Sequence, residues 1–199
     1  MTNFILVKEN IDPAPFLQEI NNVPSAWDHL TGRQDKIKVQ SQVLVIPLRG
    51  LRKSKIAGRA RRDVHESRNT TMSRNFPFTM QFLQDLAEEL DAELGRAKLA
   101  NLPPGKKVLP HIDRGEYYKI RDRFHVVLKS KDGNYLAAGD EKVHLREGDL
   151  WWFDNKIAHE AVNESSEERI NLIFDLEPHS PEGYQRAKKA STSSGATPT

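Results

Sequence analysis

The chain has 199 residues, enough for one domain with a hydrophobic core and a pocket but not for two independent cores. Lysine and arginine total 30 against 28 for aspartate and glutamate, and a net charge of +2 gives no reason to expect nucleic acid or an anionic membrane as partner. There is no cysteine, which excludes disulfides, thiolate metal sites and a cysteine nucleophile. Any metal ion must therefore be held by histidine, aspartate or glutamate.

The first part of the chain predicts a helix and a strand. Residues 1–8 lack a basic region leading into a long apolar stretch, and no later apolar run is long enough to span a membrane, so we expect a soluble, cytoplasmic protein. Asp12-Pro13 ahead of Phe16 and Ile20 predicts a short amphipathic helix with an acidic cap. Residues 39–48 are rich in β-branched side chains, and Pro47 indicates a strand that ends there or lies at a sheet edge.

The next segment, residues 49–62, is strongly basic. It holds seven lysines and arginines, no acid and two glycines, which predicts a basic loop or a mobile edge. Such runs are usually solvated faces. If this basic segment has a function, we expect it to be a lid over a substrate. Its charge could also attract an acidic substrate, a phosphate or a nucleic acid.

A second helix is predicted after Pro77. Apolar residues recur there at helical spacing from Leu83 to Leu94, and Gly95 is expected to end the helix. Its apolar face should pack against the outside of a sheet.

From residue 97 to residue 176 the pattern changes to short alternating runs. Turn sequences separate them at residues 103–105, 131–134, 138–140 and 146–149. This predicts a mainly β fold with flanking helices, whose antiparallel core closes as a barrel or jelly roll, a double-stranded β-helix. Residues 178–199 have too little apolar content to hold a fixed structure, so we expect a single domain over residues 1–177 and a disordered C-terminal tail.

Three side chains form a candidate metal site. His111 and Asp113 are two residues apart, so on a strand both point to one side and can hold a single ion. His-X-Asp alone is a weak signal, because most such tripeptides bind nothing. His159, behind an aromatic run in a separate strand, supplies a third ligand, and two histidines with one carboxylate make the facial triad of non-haem iron oxygenases.

Alternation in two other strands places cations inside the barrel. Between residues 169 and 176 the even positions are apolar, while Arg169 and Asn171 face the other way. An inward arginine needs an anion, and a guanidinium fits a carboxylate bidentately, so Arg169 is a candidate clamp for the distal carboxylate of 2-oxoglutarate. Arg123 and His125 likewise share one face and are candidates for the metal-proximal end of that cosubstrate.

These segments, taken in order, resemble the aspartyl/asparaginyl β-hydroxylase family, a cupin-like branch of the iron(II)- and 2-oxoglutarate-dependent oxygenases. The resemblance covers residues 98–175 and rests on Pro103-Pro104-Gly105, the His111 region, Arg123-Phe124-His125, Glu147-Gly148-Asp149, Phe153-Asp154, His159-Glu160 and Arg169. It implies a hydroxylase that uses Fe(II), 2-oxoglutarate and O2 and releases succinate and CO2. It also implies iron ligation by His111 and His159, and cosubstrate contacts from Arg123, His125 and Arg169.

Asp113 departs from part of that family. Members that modify aspartyl or asparaginyl residues of protein domains lack a carboxylate at this position, whereas relatives acting on free proline carry one. The resemblance therefore leaves a small-molecule or a peptidyl substrate open. Two other readings also stay open, a metal-dependent cupin-like enzyme that does not use 2-oxoglutarate and a non-catalytic cupin-like binding module.

The remaining histidines and the tryptophans receive structural interpretations. We assign surface or capping roles to His29, His65, His144 and His179, which have no partner at ligand spacing. Trp151 and Trp152 are expected to pack on opposite faces of one strand, mainly as core residues.

Overall fold

A computed structural model of the chain describes residues 2–30, 42–51 and 64–180, with backbone only at residues 28–30. Its helices are α1 (Ala14–Asn22), α2 (Pro77–Glu89) and the single turn α3 (Glu116–Lys119), with 3-10 turns at Pro24–Leu30 and Met72–Asn75. None of the helices in these ranges is long and apolar enough to cross a membrane.

The described residues form eleven strands in two antiparallel sheets. The strands are β1 (Phe4–Lys8), β2 (Leu44–Gly50), β3 (Arg68–Asn69), β4 (Ala92–Leu102), β5 (Lys107–His111), β6 (Asp122–Lys129), β7 (Asn134–Ala138), β8 (Glu141–His144), β9 (Leu150–Phe153), β10 (His159–Asn163) and β11 (Arg169–Pro178). The larger sheet has the order β1-β9-β6-β11-β4-β2-β3 and the smaller sheet the order β5-β10-β7-β8.

This strand order is that of a double-stranded β-helix. Going along the chain from β4, strands β4, β6, β9 and β11 join the larger sheet, while β5, β7, β8 and β10 join the smaller one. The predicted turn sequences fall between these strands, where they reverse the chain from one strand to the next. The mainly β jelly-roll fold predicted from the alternating pattern is therefore confirmed.

The main core lies between the larger sheet and the two long helices. Helix α1 buries Phe16 and Ile20, and α2 buries Leu83 and Leu86, each at 4% exposure or less. The opposing sheet face comes from the even positions of β6 and β11, as alternation requires. At roughly 2 kcal/mol for each fully buried apolar side chain, this layer is the main stabiliser of the sheet that carries the cosubstrate-binding candidates.

Glu19 ties the two helices together at the start of α2. Its carboxylate accepts hydrogen bonds from the backbone N–H groups of Phe78 (2.6 Å) and Thr79 (3.0 Å) and from the Thr79 hydroxyl (2.7 Å). Pro77 occupies the first turn, where no N–H is needed. The N-terminus of α2 is thus capped by a side chain of α1 instead of by its own preceding residue.

Two boundaries differ from the predictions. Helix α2 ends at Glu89, and the predicted continuation through Leu94 is wrong: Asp91 adopts a left-handed φ of 50°, and β4 starts at the next residue. Gly95 lies inside β4, where an added Cβ would collide with the Tyr117 hydroxyl. The glycine serves a close approach to α3 and does not end a helix.

The predicted strand at residues 39–48 is found as β2, displaced to Leu44–Gly50 in the described residues. Pro47 pairs with β4 on one side, and on the other side β3 reaches only Arg49 and Gly50. Pro47 therefore lies outside the β3 pairing, but β2 continues to Gly50 and is not itself the edge strand, contrary to the prediction. Arg49, assigned to the basic loop, belongs to this strand and donates to the backbone carbonyls of Ser67, Leu94 and Gly95. The rest of the basic segment, residues 52–62, and the tail from residue 181 lie outside the described residues.

Candidate active site

Strand pairing brings the three predicted metal ligands together. His111 at the end of β5 stands opposite His159 at the start of β10, with ring centroids 4.2 Å apart. Asp113 follows two residues later, where its backbone N–H donates to the Asn155 carbonyl at 3.1 Å. One potential ligand atom from each of the three lies within 4.8 Å of the others. This donor set fits a divalent transition metal and leaves room for exogenous ligands.

Backbone carbonyls orient both histidines. The Nδ1 atom of His111 lies 2.8 Å from the Leu109 carbonyl oxygen, and that of His159 lies 3.0 Å from the Ile157 carbonyl oxygen. Because a carbonyl only accepts, each Nδ1 carries the proton and each Nε2 keeps its lone pair for a metal. Burial lowers the pKa of His159, with the neighbouring His111 acting in the same direction, which favours the neutral form that metal binding needs.

One oxygen of Asp113 is already used by protein donors. Its Oδ2 accepts hydrogen bonds from Arg123 Nη1 at 2.5 Å and from Asn155 Nδ2 at 3.1 Å. Its Oδ1 lies 3.9 Å from Nε2 of His111. Burial alone would raise the pKa of this carboxyl, but Arg123, Asn155 and the two histidines outweigh it and hold the pKa below its ordinary value. The group is therefore a carboxylate with Oδ1 available to a cation.

Arg123 lies at the centre of a buried charge network. Its Nε and Nη2 donate to the two oxygens of Asp175 at 2.9 and 3.3 Å, and Nη2 also donates to the Tyr118 hydroxyl at 3.0 Å. Burial lowers the pKa of Arg123, but the charges of Asp175, Tyr118 and Asp113 raise it well above its ordinary value. Of its five N–H donors, one on Nη1 remains for a ligand.

The space beside this network is a cavity inside the barrel. It encloses about 570 Å³ including its open mouth. Its lining includes the two candidate histidine ligands, the three predicted cosubstrate-binding residues and apolar walls: His111, His159, Arg123, His125, Arg169, Val108, Leu136, Phe153 and Ile173. Five of the six predicted site residues therefore line one cavity of the jelly roll, and the sixth, Asp113, is bonded to Arg123 beside it.

Arg169 lies in this cavity without an acidic partner among the described residues. Its side chain is held by one hydrogen bond, from Nη1 to the Tyr135 carbonyl at 3.2 Å, and the residue is 5% exposed. Burial lowers its pKa to about 10, with no neighbouring charge acting in the opposite direction. A buried guanidinium in this state is a site for an anion.

His125 is the neutral member of the cosubstrate-binding candidates. Burial lowers its pKa well below the ordinary value, and the charges of Arg123 and Arg169 lower it further. Its Nδ1 lies 3.4 Å from the amide nitrogen of Asn171, which shares the inward face of β11 with Arg169. His125 can thus donate or accept a hydrogen bond but adds no charge to the cavity.

The histidines and tryptophans that were predicted to have structural roles are not part of the triad. His65 contacts Arg121, whose Nη1 is 2.9 Å from the imidazole Nδ1, and His179 is paired with Asp91. His144 is exposed, and the side chain of His29 lies outside the described residues. Trp151 and Trp152 pack against different apolar clusters, as their positions on opposite strand faces predict, and Phe153 is the aromatic wall of the cavity.

Several polar residues of the site escaped the sequence-based prediction. Asn155 anchors both the backbone and the carboxylate of Asp113, and Asp175 pairs with Arg123 directly across strands β11 and β6. A signal for Asp175 did exist, since it shares the odd-numbered face of β11 with Arg169. Lys98 and Glu160 also line the cavity, but no pattern singled them out.

Solved structures share the overall architecture. One is an oxidoreductase of the 2OG-Fe(II) oxygenase family from Burkholderia pseudomallei, with a TM-score of 0.53 and 11% identity over 86% of this chain and 93% of that chain. Another is a Pseudomonas putida prolyl-4-hydroxylase, with a TM-score of 0.52 and 15% identity over 89% of this chain and 94% of that chain. At these identities the likeness establishes the fold.

Sequence similarity adds two curated relatives. L-proline cis-4-hydroxylase of Rhizobium meliloti is 27% identical over 120 residues, which cover 59% of this chain and 41% of that protein. L-proline cis-3-hydroxylase 1 of Streptomyces is 31% identical over 72 residues, which cover 35% of this chain and 25% of that protein. The matches thus span less than half the length of either relative.

The family model for aspartyl/asparaginyl β-hydroxylases matches residues 51–178, which include the triad, the Arg123 network and Arg169. Because this match extends over more than half of the chain, the protein belongs to the aspartyl/asparaginyl β-hydroxylase family.

Proposed function

We propose that this protein is an iron(II)- and 2-oxoglutarate-dependent dioxygenase that hydroxylates a C–H bond of an amino-acid substrate. The observation that carries the proposal is Arg169, a buried guanidinium without an acidic partner among the described residues, in the same cavity as a His-Asp-His donor set. A metal-binding donor set in the same cavity as a buried guanidinium matches a cosubstrate that is a chelator at one end and a carboxylate at the other.

Each residue has a defined task in this proposal. His111, Asp113 and His159 hold iron(II), Arg169 binds the distal carboxylate of 2-oxoglutarate, and Arg123 and His125 contact its metal-proximal end. Iron with 2-oxoglutarate and O2 supplies the oxidising chemistry that hydroxylates carbon and leaves succinate and CO2.

The protein's own contribution is orientation and exclusion of water. The carbonyls of Leu109 and Ile157 fix the imidazole rings, so the ligand geometry exists before a metal arrives. The apolar walls formed by Val108, Leu136 and Phe153 limit water around the reacting atoms. No general base is required, because positioning of a C–H bond is the main demand.

For the substrate we propose a free amino acid or a similarly small molecule. Both curated relatives are named as hydroxylases of L-proline. Asp113 supports this choice, since a carboxylate at this position is a feature of the free-proline hydroxylase relatives. A peptidyl aspartate or asparagine is the other substrate class within the family.

An anaerobic titration tests the cosubstrate assignment. The iron(II)-loaded protein is titrated with 2-oxoglutarate while the weak visible charge-transfer band of the chelate is followed, in wild type and in Arg169→Ala. We expect the band in wild type and a loss of affinity of roughly 100-fold in the variant, because one charge-assisted bidentate contact is removed. Lys142→Ala, which removes an exposed cation that lies over the Tyr135 ring, is the control.

The outcomes separate this proposal from its two alternatives. A wild-type protein that binds iron(II) but shows no band favours a cupin-like metal enzyme that does not use 2-oxoglutarate. A protein that binds neither favours a non-catalytic binding module.

Loss of a metal ligand tests the catalytic site. His159→Ala is expected to abolish 2-oxoglutarate-dependent succinate formation in the presence of substrate amino acids, because two ligands cannot hold the ion in the required geometry. Normal succinate production by this variant would contradict the site.

A further inference from the structure

Arg123 is shared between two carboxylates that come from different parts of the fold. On one side its Nη1 contacts Oδ2 of Asp113, the ligand that follows β5, and on the other its Nε and Nη2 contact both oxygens of Asp175 in β11. The register of β6 and β11 places Arg123 and Asp175 directly opposite each other. The three side chains are nearly inaccessible to solvent, at 10%, 9% and 2% exposure for Arg123, Asp113 and Asp175.

This arrangement controls which oxygen of Asp113 can reach a metal. Arg123 and Asn155 both donate to Oδ2, and Oδ1 is the oxygen nearer to Nε2 of His111. A guanidinium without another anion would present two parallel N–H groups to both oxygens of one carboxylate. Because Asp175 engages Nε and one Nη2 hydrogen of Arg123, the guanidinium reaches Asp113 through Nη1 alone.

We propose that Asp175 is a positioning residue that acts through Arg123 to keep Oδ1 of Asp113 available to the metal ion. The inference rests on the proposed iron site but concerns a residue that does not touch the metal.

A purely structural role for Asp175 is the competing explanation, since it also links β6 to β11. Glu177 offers the matched comparison. It lies two residues further along β11 and forms an ion pair with another buried arginine, Arg121, at 2.6 Å. The side-chain partners of Asp113 among the described residues are Arg123, Asn155 and His111, and neither member of the Arg121–Glu177 pair is one of them. Loss of either ion pair perturbs the same strand, whereas only loss of Asp175 should weaken metal binding.

The test is a cobalt(II) titration of the metal-free protein, followed by the visible d–d absorption, for wild type, Asp175→Asn and Glu177→Gln. We expect Asp175→Asn to weaken cobalt(II) binding at least tenfold, the lower end of the effect of outer-shell partners, and Glu177→Gln to stay within about twofold of wild type. Equal affinity in wild type and in a folded Asp175→Asn protein would overturn the proposal.

A double-mutant cycle adds a readout that a structural role would not move. If Asp175 acts through Asp113, then Asp175→Asn should have no further effect on cobalt(II) affinity once Asp113→Asn is present. Additive losses in the double variant would show that Asp175 affects the site by another route and would contradict the proposal. Circular dichroism confirms that each variant is folded at the titration temperature.

If Asp175→Asn does not fold, Tyr118→Phe takes its place. It removes one hydrogen bond from the same guanidinium, and we expect cobalt(II) affinity to fall roughly threefold. An unchanged affinity would then count against the network. Failure of wild type itself to bind cobalt(II) would contradict the proposed metal site instead, so the two hypotheses fail in distinguishable ways.

Discussion

Two arginines of the cavity, Arg123 and Arg169, are both buried but have opposite surroundings. Arg123 has four of its five N–H groups bonded to Asp113, Asp175 and Tyr118. Arg169 has one hydrogen bond, to a backbone carbonyl, and no acidic partner among the described residues. Accordingly the pKa of Arg123 is raised above its ordinary value, whereas that of Arg169 is lowered to about 10.

We interpret the difference as one between a charge used for structure and a charge that can bind a ligand. A buried cation with two anions belongs to the protein's own network, and its removal leaves those anions uncompensated. A buried cation without an anion costs stability that a bound carboxylate can restore. In our proposal the metal end of the cavity, around Asp113, is therefore preorganised, and the cosubstrate completes the site at Arg169.

The largest expected effect is on stability at the metal end. Arg123→Met should lower the free energy of unfolding of the metal-free protein by about 3–5 kcal/mol, because the carboxylates of Asp113 and Asp175 are left buried without their partner. Urea unfolding measures this loss of stability. Lys129→Met, which removes half-exposed ion pairs with Glu167 and Glu168, should change stability by less than about 1 kcal/mol and serves as the control. If Arg123→Met lost less unfolding free energy than Lys129→Met, the proposed difference between the two arginines would be wrong.

Arg169→Met should behave in the opposite way. We expect the metal-free variant to be as stable as wild type or more stable by about 1–2 kcal/mol, because an apolar side chain replaces a desolvated charge. Manganese(II) and saturating 2-oxoglutarate together should raise the melting temperature of wild type more than manganese(II) alone, and this cosubstrate-dependent gain should be absent from the variant. A destabilised variant that keeps the gain would show that Arg169 is structural.

The smallest effect concerns the pH dependence contributed by His125. Its pKa in the folded protein lies well below its ordinary value, so in acid the unfolded chain takes up a proton that the folded protein refuses. The stability linked to this group is complete above pH 6.5 and is lost as the pH falls below it, by up to about 1.4 kcal/mol per pH unit. Burial of His159 acts with the same sign.

The comparison is made on metal-free protein between pH 7 and pH 5. His125→Gln should reduce the slope of unfolding free energy against pH, whereas His144→Gln, a change at an exposed histidine, should leave the slope as in wild type. A slope unchanged by His125→Gln would mean that the imidazole takes up a proton in the folded protein as readily as in the unfolded chain, which would contradict a neutral His125 in the cavity.

The fold was largely predictable because its signals are local. Alternation along β6 and β11 placed Arg123, His125 and Arg169 on the inward face, and the structure confirms those faces. The predicted end of α2 was wrong. Gly95 was interpreted as the residue that ends the helix, but it lies in β4, where it makes room for the Tyr117 hydroxyl. From the sequence alone, a glycine needed for close packing against a remote segment cannot be distinguished from a glycine needed for a turn.

The sequence alone determined that Arg123, His125 and Arg169 lie on the polar faces of their strands, because a strand's two faces alternate whatever its neighbours are. Only the tertiary structure decided how the charges are shared, with Asp175 and Asn155 committed to the Arg123–Asp113 network and Arg169 left for a ligand. That division depends on the register between strands far apart in the chain, which no periodicity within a single strand encodes.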